Sequence, residues 1–193
     1  QPLPIENNTQ ISIVAQNSSQ ILRHVVFETA SGNPIEYGLS LLNKETMLQE
    51  LTHFTDDKYR GRLSATPEND ELADWLIENL KKLNIAPANG TDYRQPFTMT
   101  RGPTNGKKSA NIVGLIPGTD PQLKEEYIII GAHMDHAGES SGRGYTCTQK
   151  GAGDVICNGA DDNGSGTISV LNIAKSLAAV RTNLKRSVII MWF

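Results

Sequence analysis

Tyr127-Ile-Ile-Ile-Gly-Ala-His-Met-Asp-His136 opens the part of the chain that decides the fold, and Gly159-Ala-Asp-Asp-Asn-Gly-Ser-Gly166 continues it. The apolar run Tyr127–Ile130 reads as a buried strand. The second stretch opens an amphipathic helix. Ile168, Leu171, Leu177 and Ala178 recur near helical spacing, and Val170, Ile173 and Ala174 widen the stripe into a face broad enough to cover a sheet. After the polar link 181–185, Ser187-Val-Ile-Ile-Met-Trp-Phe193 is almost continuously apolar, the pattern of a central parallel strand. Strand, crossover helix and strand make a right-handed βαβ unit. Such a unit gathers ligands at the carboxyl ends of its strands, where His133, Asp135, Asp161 and Asp162 fall.

Those residue types point to a metal. A neutral imidazole from His133 is a good zinc ligand, and Asp135, two residues on, is placed to hold its other ring nitrogen. Asp161 and Asp162 add hard oxygen ligands. One carboxylate has two oxygens, enough to bridge two cations roughly 3.5–4 Å apart. Each residue also has a plain structural reading. A lone histidine near a strand often serves packing, and Asp-Asp-Asn-Gly is also cap and turn material.

Outside this segment the elements are simpler. Asn43 caps a helix over 44–54, in which Leu48, Leu51 and Phe54 are expected to form the apolar stripe and His53 to be a surface or packing residue. Arg60-Gly-Arg62 reads as a turn whose Arg62 pairs with an acid. Thr66 and Pro67 start a second helix, with Leu72, Leu76, Leu80 and Leu83 along one face and Asn84 at its end. Strands follow at 93–99 and 110–116. Residues 1–40 read as an N-terminal arm or cover, with short strands near 11–14 and 22–27 and turn material at Ser31-Gly-Asn-Pro34. Residues 41–193 form the α/β domain. Its class is a three-layer α/β/α sandwich with a mixed, mostly parallel sheet.

Composition narrows the function. A net charge of -3 argues against a nucleic-acid footprint, which needs a basic face. No apolar run approaches the ~20 residues of a membrane span. The chain begins at Gln1 without Met or an apolar leader, which suggests a processed product, secreted or periplasmic. Cys147 and Cys157 share the Gly-rich loop between the two signatures. A disulfide there would clip the rim of the site, and two free thiols are the other reading. Asn7, Asn17 and Asn89 head glycosylation-like triplets.

The pair Gly131-Ala-His-Met-Asp-His136 and Gly159-Ala-Asp-Asp-Asn-Gly-Ser-Gly166 resembles metallopeptidase family 28, the co-catalytic zinc aminopeptidases and their relatives. Leu51–Ser64 resembles that family's N-terminal helix and Gly-Arg turn. The resemblance covers roughly residues 44–193 and implies a zinc exopeptidase-like fold. It implies His133 as a ligand of one zinc, Asp162 as the carboxylate bridging two zinc ions, and Asp135 as the catalytic-site residue orienting His133. It also implies a cis peptide between Asp162 and Asn163. His136 is a candidate substrate contact or a simple strand cap. The implied activity is removal of N-terminal residues from peptides with a free N-terminus. A general-base glutamate, a second glutamate ligand, an aspartate and a histidine of the family pattern have no counterpart here, so the chain is expected to be the N-terminal part of a larger catalytic domain. The rival readings are a single-zinc glutaminyl cyclase, a carboxypeptidase-type relative, and a receptor-like binding module without metals.

Overall fold

The computed structural model describes residues 11–15, 23–27, 32–88, 90–140, 147 and 153–193. Two strands, β1 (Ile11–Ala15) and β2 (Arg23–Phe27), pair antiparallel, with Ile11 opposite Phe27 and Ala15 opposite Arg23. The first 40 residues therefore contain a hairpin where two short strands were expected. The triplets at Asn7 and Asn17, and Asn89 of the third, lie outside the described residues.

The main sheet is built from β3 (Ala86–Pro87), β4 (Arg94–Thr98), β5 (Lys108–Ile116), β6 (Tyr127–Ala132) and β7 (Ser187–Trp192). Its order is β3-β5-β7-β6, with β4 also paired to β5. The crossover from β6 to β7 runs through α4 (Ser165–Ala179), and the two strands are parallel, Ile128 opposite Val188 and Ala132 opposite Trp192. β5 joins β7 antiparallel, as do β3 and β4 with β5. The sheet is mixed, as expected. Among the described residues, though, its parallel ladder is β6–β7 and the others are antiparallel, so "mostly parallel" does not hold for this portion.

Local chemistry starts the helices where the sequence places them. α2 (Lys44–Phe54) is capped by Asn43, whose Oδ1 accepts from the Thr46 N–H at 2.8 Å. α3 (Pro67–Lys82) begins with Thr66 as cap and Pro67 in the first turn, and the chain leaves it through Asn84 in the left-handed region. One helix was missed: α1 (Pro34–Ser40). Asn33 accepts from the Ile35 N–H at 3.0 Å, and Pro34 sits in the first turn. Ser31-Gly-Asn-Pro34 is thus a helix start, the same cap-then-proline device as Thr66-Pro67. The stripe on α2 also needs correcting. Leu48 is 58% exposed, while Met47, Leu51 and Phe54 face the core. That is the i, i+4, i+7 row rather than strict three-residue spacing.

The core lies between one face of the sheet and the helices. Ile112, Ile116, Val188, Ile190 and Trp192 meet Leu72, Leu76 and Leu80 of α3 and Ile168 and Leu171 of α4. Gly114 lets α3 approach, because a Cβ there would lie 3.0 Å from both Leu80 and Ile85. The opposite face is barer: Ile189 and Met191 are half-buried and Ile129 is 65% exposed. Helix packing among the described residues thus covers one face, and two of the three expected layers are present.

β6 is the larger surprise. The expectation was that Tyr127–Ile130 is buried and that Ser187–Phe193 is a central strand. β7 does sit between β5 and β6 and is well buried, but Tyr127, Ile128 and Ile129 are exposed at the sheet's edge. An apolar run specifies a strand wanting cover; it does not specify which strand has a neighbour.

Candidate metal centre

His133 leaves the end of β6 held from three sides. Its carbonyl accepts from Thr167 Oγ1 at 3.0 Å, and the Thr167 carbonyl accepts from Trp192 Nε1 at 3.2 Å. Next to it, the Met134 N–H donates to Phe193 O at 2.8 Å. Thr167 and Trp192 are fully buried, so buried hydrogen bonds tie the start of α4 and the end of β7 to the first signature.

The side chains converge from there. The His133 Nδ1 edge faces Asp135, at 3.2 Å from its carbonyl oxygen and 3.3 Å from Oδ1. Its Nε2 lies 3.0 Å from Asp162 Oδ1. With the ring proton on Nδ1 and shared with Asp135, Nε2 turns a lone pair toward a carboxylate oxygen. Two acceptors at that distance repel unless a cation lies with them. A metal ion or a proton satisfies both, so the donor set fits the zinc implied by the resemblance. The Asp162 side chain is 69% exposed, which leaves its carboxylate accessible to an incoming ion. Among the described residues no group of three potential ligands gathers.

The remaining sequence candidates separate. Asp162 Oδ2 is 3.6 Å from His136 Nδ1. His136 is 16% exposed and its ring packs under Gly159, so it faces Asp162 more than solvent. Burial first, and then the Arg62 charge, hold the His136 pKa below its usual value. Asp161 is exposed, and its carbonyl accepts from Ser165 Oγ at 2.9 Å. The Asp162–Asn163 peptide is cis. His53 is a packing residue: its Nε2 lies 3.0 Å from Tyr59 Oη and its ring leans on Trp75. Cys147 and Cys157 are joined in a disulfide, Cα atoms 5.5 Å apart, just before the second signature.

Two residues of the centre were not found from sequence. Ser64 Oγ donates to Asp135 Oδ2. Arg62 was expected to pair with an acid; instead it is buried and its guanidinium donates to backbone carbonyls of both signatures. Burial pulls its pKa down to about 10. The sequence signal for this turn is only Arg60-Gly-Arg62, whose three residues all take left-handed φ.

Residues 111–193 match the model of peptidase family M28. A probable leucine aminopeptidase of Arthroderma otae is 30% identical over 156 residues, 79% of this chain and 36% of that protein. One from Trichophyton verrucosum is 30% identical over 165 residues, 83% of this chain and 37% of that protein. The chain therefore spans little more than a third of these relatives. The LapA aminopeptidase structure of Legionella pneumophila is similar with a TM-score of 0.54 at 24% identity, covering 82% of this chain and 36% of that one. A Porphyromonas gingivalis glutaminyl cyclase gives 0.58 at 20% identity, covering 79% and 48%. At these identities the structures speak for the fold, which is that of the zinc exopeptidases.

Proposed function

We propose, from the premise that residues 111–193 belong to peptidase family M28, that the protein is a zinc-dependent aminopeptidase. The observation that carries this is the meeting of His133 Nε2 and Asp162 Oδ1 at 3.0 Å, with Asp135 behind the imidazole. His133 and Asp162 would hold zinc, two ions on this reading, His133 through its imidazole and Asp162 through its carboxylate. Bound zinc would supply polarisation of the scissile carbonyl and a lowered pKa for an attacking water. This chain's own part is preparation. Asp135 holds the His133 ring and fixes its proton on Nδ1. Thr167 fixes the His133 backbone. The exposed Asp162 carboxylate stays open to the incoming group. Two side chains do not hold two ions, since catalytic zinc takes about three protein ligands each plus water. We assign the missing ligands and the general base to sequence outside these 193 residues.

The substrates on this reading are peptides with a free N-terminus. The aminopeptidase reading is favoured over the cyclase because the relatives at 30% identity carry the former name, whereas the cyclase likeness rests on fold. The disulfide supports an oxidising setting, secreted or periplasmic. Among the described residues no helix is long and apolar enough to cross a membrane. The test is zinc content together with hydrolysis of amino-acid arylamides by the full-length protein. Two equivalents with turnover is the expected result. One equivalent without turnover would favour the cyclase, and no zinc would favour a binding module.

A further inference from the structure

We infer that the turn Arg60–Ala65, which lies outside both signatures, is the positioning element of the metal centre, with Arg62 as its clasp and Ser64 as its second anchor. This rests on the zinc reading above. Arg62 Nε donates to Met134 O at 3.1 Å and Nη2 to Gly159 O at 2.9 Å, while Nη1 donates to Asn158 O. Met134 follows His133, and Gly159 lies three residues before Asp162. One rigid fork therefore sets the spacing between the two segments that carry the two ligands. The Arg62 carbonyl adds a fourth tie, accepting from the His136 N–H at 3.1 Å.

The cation is an odd choice for mere filling. Arg62 is 1% exposed, over the Phe54 ring at 4.9 Å, and its direct partners are neutral carbonyls. Burying a charge without a paired acid is unfavourable. What recommends arginine here is the planar fork of donors, which a lysine's single ammonium cannot reproduce. The attraction it feels comes from the carboxylates of Asp135 and Asp162 further off, the two acids of the centre. The turn itself is tightly built. Arg60, Gly61 and Arg62 take φ of 46°, 72° and 50°, and a Cβ on Gly61 would collide with the Gly138 carbonyl. Backbone in that region persists only where its surroundings enforce it. Here they do, through Gly138 N–H to Gly61 O at 3.0 Å and Cys157 N–H to Gly138 O at 2.9 Å. Ser64 then donates to Asp135 Oδ2, the oxygen left over when Oδ1 faces His133.

The experiment compares full-length wild type with Arg62→Lys, Arg62→Gln and Ser64→Ala. Zn²⁺ affinity is read by chelator competition, unfolding by thermal midpoint, and mobility of segments 132–138 and 157–162 by hydrogen exchange of the metal-free protein. Both Arg62 variants should lose about 10- to 100-fold in Zn²⁺ affinity, and Ser64→Ala about 10-fold, the range for residues that orient ligands. Exchange in both segments should speed up together in the Arg62 variants. Ser64→Ala should keep the wild-type midpoint, so its affinity loss would not follow from a purely structural role. Folded Arg62 variants binding Zn²⁺ within threefold of wild type would overturn the inference and leave the zinc reading standing. Wild type that binds no Zn²⁺ would overturn the zinc reading and this inference with it. If neither Arg62 variant folds, Ser64→Ala decides: weaker binding supports the positioning turn, and unchanged binding refutes it.

Discussion

Replacing Cys147 by Ser should lower the unfolding midpoint by about 5–11 °C. The bond closes a span of 10 residues. In the chain-entropy account, closing a loop of about that size removes roughly 9 cal/mol/K from the unfolded chain, or about 2.7 kcal/mol at 25 °C. For a protein of this size each kcal/mol moves the midpoint by about 2–4 °C. Cys147 is the better target because Cys157 is buried, so changing Cys157 would add a packing cost of its own. The bond anchors the residue before Asn158 and Gly159, whose carbonyls receive Arg62, so loosening it should also weaken Zn²⁺ binding. The assay is differential scanning calorimetry of wild type and Cys147→Ser, each with and without dithiothreitol. Reduced wild type should fall to the level of the variant, and dithiothreitol should not shift the variant. An oxidised wild type within about 1 °C of the variant would refute the reasoning.

Other outcomes follow from the same contacts. Asp162→Asn should abolish zinc retention after dialysis while Asp161→Asn keeps most of it, because Asp162 is the acid that meets His133; metal analysis of both variants would expose a reversed order. Thr167→Val should cost about 1–3 kcal/mol in urea unfolding, since the His133 carbonyl loses the donor that the buried Thr167 supplies. Ile129→Lys should reduce self-association seen by light scattering without a loss of midpoint, because the side chain is exposed on the edge strand. Residues 1–193 expressed alone should not hold two zinc ions at micromolar chelator, having two ligand side chains for them.

Much of this molecule was legible from residues a few positions apart. Asn43 and Thr66 start their helices through contacts three residues away, and Leu72, Leu76 and Leu80 share a face because the helix repeats every 3.6 residues. His133 and Asp162 could be read because each sits at the junction of a strand or helix whose type its own neighbours announce. Asn33-Pro34 carries the same local signal, but next to Ser31-Gly32 it reads as a turn. What the tertiary structure decided is what depends on residues far apart in the chain. Whether β6 or β7 lies at the edge depends on which strand β5 chooses, 70-odd positions away, and both runs are equally apolar. Leu48 and Met47 compete for the core on α2, and the packed chain settles it in favour of Met47. Arg62 reaches carbonyls 72 and 97 residues on, and a carbonyl carries no mark of its side chain. Periodicity states that a residue wants burial or a partner; only the packed chain supplies the partner's identity.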